Sequence, residues 1–406
     1  MKHLVRLFAF LFFTDVVFGT VPHAYVCDQL YNRVTVLDVT NDTTAVILGF
    51  AAPRVVHLNA DGTLAFVGSN DGTIRIIDTT SHTLLPIVVN VAPPVAMAVS
   101  PDASFIYVAS NDNTVSVIRT SDYMVSTVIT GFDKLQDIKI RPDGAYAYVT
   151  NAGNGTVSVI RTSDKTVVDT ISGFLKPIGL TLTVDGRYGY VTETSSNSIR
   201  VFDTSTNTIV DSILGLNFPT YSAVAPNKTY IYVANLGNDT ISIIRTSDNF
   251  IVDTITIPAP KCIAVTADGN YLYIGSEEGA VVKIDLINYT IVTVFSGFSS
   301  PSNIALTNNN TPGYTVNGCQ VVVSPTDVYN MVSWKPIGTP TSYKLYRDGA
   351  LTVPIVTLPA GTLQYNDNHL LLGQVYSYYV VAEYSDGFAS TIGSVEVIPT
   401  RLCQNP

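Results

Sequence analysis

Residue types that do chemistry are scarce in this chain and poorly spaced for it. Histidine occurs at His3, His23, His57, His82 and His369, and no two share a spacing that would set both on one metal. The four cysteines make no C-x-x-C pair, and the G-x-S-x-G turn that presents a nucleophilic serine is absent. Glutamate is confined to Glu193, Glu277, Glu278, Glu383 and Glu396. Turns such as Asn70-Asp71-Gly72 and Pro142-Asp143-Gly144 lack the alternating acids over five positions that a calcium loop requires, so they read as hairpin turns. One set remains. Asp137, Arg54, Gln136, Tyr221, Lys261 and Asn303 fall at equivalent places of a repeat, where they would form a polar patch for a small anion or a sugar. No metal and no cofactor is implied.

The elements that position this patch are legible in residues 147–171, AYVTNAGNGTVSVIRTSDKTVVDTI. Ala147–Asn151, Thr156–Ile160 and Thr166–Ile171 alternate apolar with polar residues, which predicts half-buried strands. Asn-Ala-Gly-Asn-Gly and Thr-Ser-Asp-Lys between them read as tight hairpins, because Gly tolerates positive φ and Asn and Asp bond their own backbone. The pattern recurs from residues 24, 65, 106, 147, 189, 231 and 272, a period of 41 or 42. Each copy adds a fourth run, such as IKIRPDG at 138–144. Four strands per period, seven times over, predict an all-β, seven-bladed propeller whose blades cover one another.

These residues resemble the YVTN-repeat β-propellers of prokaryotic surface and exported proteins. AYVTN at 147–151 is the tag that names the family, and Pro142-Asp143-Gly144 is its usual preceding turn. The likeness runs over roughly residues 22–312. The first copy lacks a leading apolar run, and NIALT at 303–307 is a surplus one. The final strand is therefore expected to be the innermost strand of blade 1, beside Ala24–Cys27, a one-plus-three clasp of the N- and C-terminal strands that removes the sheet edges. The innermost strands follow a Pro-rich lead-in. The two positions after it ring one mouth of the channel: Arg54, Val95, Gln136, Ile178, Thr220, Lys261 and Ser302, then Val55, Ala96, Asp137, Gly179, Tyr221, Cys262 and Asn303. The propeller lactonases and streptogramin-type lyases that the fold suggests need acids or histidines converging there, and Asp137 is the one carboxylate in these rows.

Composition bounds the rest. Net charge is −10 with 13% charged and 46% hydrophobic residues, which argues against a nucleic-acid backbone or an anionic lipid surface as partner. Residues 1–19 read as a signal peptide: Lys2, His3 and Arg6, then LFAFLFF at 7–13, too short to span a bilayer, then Val17 and Gly19 before a cleavage site. The propeller is expected over 20–312, a linker over 313–318 and a second domain over 319–406. Tyr376, Val380 and Ala382 fit Y-x-x-x-V-x-A, with Leu370 and Gly373 ahead of them, which resembles the tyrosine corner of a fibronectin type III domain. Trp334 would be its buried second-strand tryptophan. In an exported chain Cys319 and Cys403 could staple the ends of that domain. Cys27 and Cys262 either lock the seam between blades 1 and 7 or remain buried free thiols. The expected function is non-catalytic binding or scaffolding, with a protein or polysaccharide partner at a cell surface. The alternatives are a channel-mouth hydrolase or lyase using Asp137 with Lys261 or Tyr221, and a surface-layer subunit.

Overall fold

Alternating side chains on an extended backbone put one set on each face, so a strand with two apolar sets must be covered on both sides. In blade 4 the second strand, Tyr146–Asn151, is buried along nearly its whole length. The computed structural model describes residues 23–307, apart from 40, 41, 43 and 300, together with residue 355 and eight strands between 314 and 397. Every regular element among the described residues is a strand, and none is a helix long and apolar enough to cross a membrane.

Seven four-stranded antiparallel sheets form a seven-bladed propeller. Blade 4 runs outward through Leu135–Ile140, Tyr146–Asn151, Thr156–Arg161 and Thr166–Ser172. Blades 2 to 7 each take four successive strands in this way. Blade 1 does not. Its order is Pro301–Leu306, His23–Asp28, Arg33–Asp38 and Thr44–Leu48, so its innermost strand comes from the far end of the propeller sequence. That pairing sets Tyr25 opposite Ala305 and Cys27 opposite Asn303. The face on which the innermost strands begin is called the upper face below.

Burial is organised between blades. Seven apolar clusters lie among the described propeller residues, each shared by two adjacent sheets. The seam cluster joins Ala24, Val26 and Leu37 of blade 1 to Tyr273, Val281 and Phe295 of blade 7. The tag at 148–151 reads physically from these contacts. Tyr148 is buried and its hydroxyl donates to the Thr204 carbonyl of the next blade at 3.3 Å. Thr150 Oγ1 donates to the Ile178 carbonyl of the next blade at 3.0 Å. Asn151 donates to Ser158 Oγ at 2.9 Å, within its own blade.

A second set of ties comes from the lower-face hairpins. Asp42, His82, Tyr123, Lys165, Asn207, Asn249 and Tyr289 occupy equivalent turn positions, all with φ of 54–60°, a region that L-residues enter at some cost. From this position a side chain reaches the preceding blade. Asn207 donates to Asp169 at 2.8 Å, Asn249 donates to Asp211 at 2.7 Å, and Lys165 lies 4.3 Å from the centre of the Phe105 ring. Asp42 accepts from Lys283 Nζ at 2.8 Å and Thr293 Oγ1 at 2.7 Å, across the seam.

Of the two readings open for Cys27 and Cys262, the structure shows buried free thiols, which are not joined. The strand Pro301–Leu306 pairs directly with that of Cys27, and Cys262 Sγ is aimed at the Pro301 carbonyl, 3.6 Å away. The stretch 313–318 is not wholly linker, since Tyr314–Val316 pairs with Cys319–Val323. The latter strand continues into a sheet ordered Tyr314–Val316, Cys319–Val323, Asn330–Trp334, Gln364–Asp367. A further sheet is ordered Val356–Pro359, Ser342–Arg347, Tyr376–Glu383, Ala389–Val397. The expected signal peptide at 1–19 and Cys403 lie outside the described residues, as do the side chains of Cys319 and Trp334.

Candidate functional site

All seven innermost strands start on the same face because each follows a lead-in of the same length, and in most blades the first strand residue is a buried proline. They leave a central cavity of about 580 Å³. Arg54, Asp137, Tyr221, Lys261 and Asn303 line it, as do Lys139 and His57. Five of the six rim residues singled out from sequence are therefore brought together. Gln136 is not on the wall; its amide turns back to the Lys134 carbonyl at 3.4 Å.

Asp137 is buried and fully engaged. Oδ1 accepts from Lys139 Nζ at 2.7 Å and from the Ile138 amide at 2.8 Å, and Oδ2 accepts from the Leu180 amide of the next blade at 2.9 Å. Asn303 does the same work at the seam between blades 1 and 2, its Oδ1 accepting from the Val56 amide at 3.1 Å. These two rim residues thus satisfy backbone donors of the neighbouring blade, groups that would otherwise be costly to bury. The equivalent place in blade 5 is Gly179, where an added Cβ would lie 2.6 Å from the Thr220 carbonyl. Close approach of two blades therefore excludes a side chain there.

The remaining wall groups are of a different kind. Lys261 Nζ pairs with Glu277 at 2.9 Å. Tyr221 is half-buried, and burial, with the Asp137 charge adding to it, pushes its phenol up to about 12. It is a neutral donor at ordinary pH. His57 Nδ1 lies 2.8 Å from the Leu58 carbonyl, and a carbonyl only accepts, so Nδ1 carries the proton and Nε2 is left as an acceptor. Burial lowers this imidazole to about 4, opposed by its bond to Leu58. Cys262 borders the channel, but its Sγ is turned to the Pro301 carbonyl and burial raises the thiol to about 12, so it is no nucleophile at neutral pH.

Lys139 and the open Nε2 of His57 were missed or discounted from sequence. The aligned column there reads His57, Ala98, Lys139, Thr181, Ala223, Ala264 and Ala305, so neither residue recurs and periodicity gives no signal. The Asp-bearing turns bond themselves: Asp71 Oδ1 accepts from the Thr73 amide at 3.1 Å and from its hydroxyl at 2.7 Å. Among the described residues no group of three potential metal ligands converges.

Comparison with known proteins agrees with this architecture. A family model described as a domain of unknown function (DUF5074) matches residues 180–343, and one described as WD domain, G-beta repeat, matches residues 47–78. No curated protein matches the sequence. A functionally unknown protein from Desulfotomaculum acetoxidans DSM 771 is similar in structure, with a TM-score of 0.63 at 16% identity over 70% of this chain and 99% of that one. Kuenenia stuttgartiensis hydrazine synthase is similar with a TM-score of 0.55 at 20% identity over 69% of this chain and 92% of that one. At such identities the likeness extends to the fold alone, and a propeller hosts many unrelated activities.

Proposed function

We propose that the chain is an exported, non-catalytic binding protein of the YVTN-repeat kind, whose upper face engages a protein or polysaccharide at a cell surface. The observation that carries this reading is the state of Asp137. It is the one carboxylate among the channel-lining residues, and its two oxygens already serve three donors, which leaves it poorly placed to take a proton from a substrate. The upper face, by contrast, exposes Leu30, Tyr31, Leu175, Leu214 and Phe218 in the loops around the mouth. Large apolar side chains in the loops that surround the channel mouth favour a contact surface there; the lower face exposes Met124, Val184, Phe250 and Ile287, in its turns and strand starts.

The finer parts of the proposal have their own support. The basic start and short apolar run at 2–13 favour export. In the C-terminal segment Asn330–Trp334 pairs with Gln364–Asp367, and Ser342–Arg347 pairs with Tyr376–Glu383. Two separate sheets with these pairings favour a fibronectin type III-like sandwich, serving as spacer or second contact. Pairing of Pro301–Leu306 with His23–Asp28 favours a ring held shut by its own strand ends.

The test uses substitutions on both faces. Leu30→Asp, Leu214→Asp and Phe218→Asp are expected to abolish binding to envelope glycans or proteins while the melting temperature holds. Met124→Asp and Ile287→Asp, on lower-face turns, are expected to leave binding intact. Loss from the lower-face variants alone would reject the face assignment. Metal-independent turnover of a lactone or ester panel would reject the non-catalytic reading.

A further inference from the structure

We infer that the central channel is a binding site for a small carboxylate-bearing sugar acid, with Arg54 as the group that selects the charge. The inference goes beyond the surface-partner reading and does not depend on it.

The channel wall carries three cations, Arg54, Lys139 and Lys261, against one carboxylate, Asp137, in a chain whose net charge is −10. Two of the cations are neutralised locally, Lys139 by Asp137 and Lys261 by Glu277. Arg54 is different. Its guanidinium makes no hydrogen bond or ion pair with any described residue, although its own carbonyl accepts from Ser302 Oγ at 3.0 Å. A half-buried guanidinium with five donors and no protein acceptor matches the two oxygens of a carboxylate. Low-dielectric walls on every side would strengthen that attraction.

The neighbouring groups extend the match. The Tyr221 hydroxyl likewise has no partner among the described residues, and it lies close enough to feel the Arg54 charge. It can donate to the same anion. His57 offers an open Nε2, an acceptor suited to a ligand hydroxyl. Between them the wall alternates small apolar and polar surface: Val55, Ala96 and Ile263 with Ser222 and Ser302. A cavity of about 580 Å³ is of the size that holds one or two sugar units. Charge, hydroxyl partner and volume together favour a sugar acid over a neutral sugar or an inorganic ion.

The experiment is a thermal-shift and calorimetric titration of the full chain with gluconate, glucuronate and glucose at fixed ionic strength. The two acids are expected to raise the melting temperature in a saturable way, and glucose is not. Arg54→Gln is expected to weaken acid binding by roughly tenfold or more, and Tyr221→Phe by a few fold. Should Arg54→Gln fail to fold, Arg54→Lys keeps the charge but not the two-pronged donor, and the same loss is read there. Absence of any acid response, equal responses in wild type and the Arg54 variants, or an equal response to glucose would each overturn the inference.

Discussion

His57 is a half-buried base that folding keeps neutral, and acid tests it directly. Its folded value of about 4 lies below the ordinary 6.5 because of burial. Above pH 6.5 the ring is neutral in both states and imposes no penalty. Between 6.5 and 4 the unfolded chain takes up a proton that the folded chain refuses, so stability falls as pH falls, by up to about 1.4 kcal/mol per unit. The residue lines the channel and is only partly buried, which reduces the effect to on the order of 2 kcal/mol by pH 4.5. His82, which meets His23 edge to face with ring centres 4.4 Å apart, is lowered too, by burial and then by His23. The informative quantity is therefore a difference. The urea midpoint of His57→Gln is expected to fall less between pH 7 and 4.5 than that of the wild type, and parallel curves would show that His57 does not titrate this way. At this scale sequence reached the right neighbourhood but not the roles. Alignment brought Asp137, Tyr221 and Arg54 to one mouth, yet whether a side chain is engaged or open depends on the next blade. Asp137 is held by Leu180, 43 residues away, and Gln136, one residue earlier, turns off the wall. No local pattern encodes either outcome.

Strands and turns were the legible elements, because period-two alternation and Asn, Asp and Gly at the joints follow from local physics. The reach of the lower-face turns was not legible. Their key position holds Asp42, His82, Tyr123, Lys165, Asn207, Asn249 and Tyr289, which share a left-handed backbone and little else. Side-chain identity there answers to the previous blade. The seam shows what this implies for stability. Lys283 is only 5% exposed and reaches both Asp42 and the Val39 carbonyl, whereas Asp42 is 30% exposed. Burial pulls the Asp42 carboxyl up, but the bonds from Lys283 and Thr293 outweigh this and hold it below its usual value. Removing one partner of such a pair matters most when the charge left behind is the buried one. Asp42→Ala is expected to cost about 3 kcal/mol in urea unfolding, because Lys283 remains inside. Lys283→Met, which leaves a partly solvated carboxylate and fills the space, is expected to cost about 1 kcal/mol or less. The opposite ranking would sink this account of the seam.

Residues 23–307 form a ring in which sheet contacts sheet, and the apolar clusters described there lie at those interfaces. In the proposed closure blade 1 takes its innermost strand from about 280 residues further along the chain, His23–Asp28 pairing with Pro301–Leu306. A chain ending at residue 312 is expected to keep a single sharp thermal transition and to run as a monomer. A chain ending at residue 299 leaves His23–Asp28 as a bare sheet edge and removes Ile304 from the seam cluster, and is expected to melt broadly and aggregate. Equal behaviour of the two would show that the last strand is dispensable. The backward-pointing turns add a direction to this ring. Several later turns meet a partner in a sheet already synthesised: Asn207 finds Asp169, Asn249 finds Asp211, His82 finds Tyr25 and Lys165 finds the Phe105 ring. Asp42 alone waits for a partner made 241 residues later. At ribosomal speeds of about 5–20 residues per second that delay is roughly ten to fifty seconds. Assembly is therefore expected to be vectorial, with nascent sheets docking on their elders and the first sheet completed last.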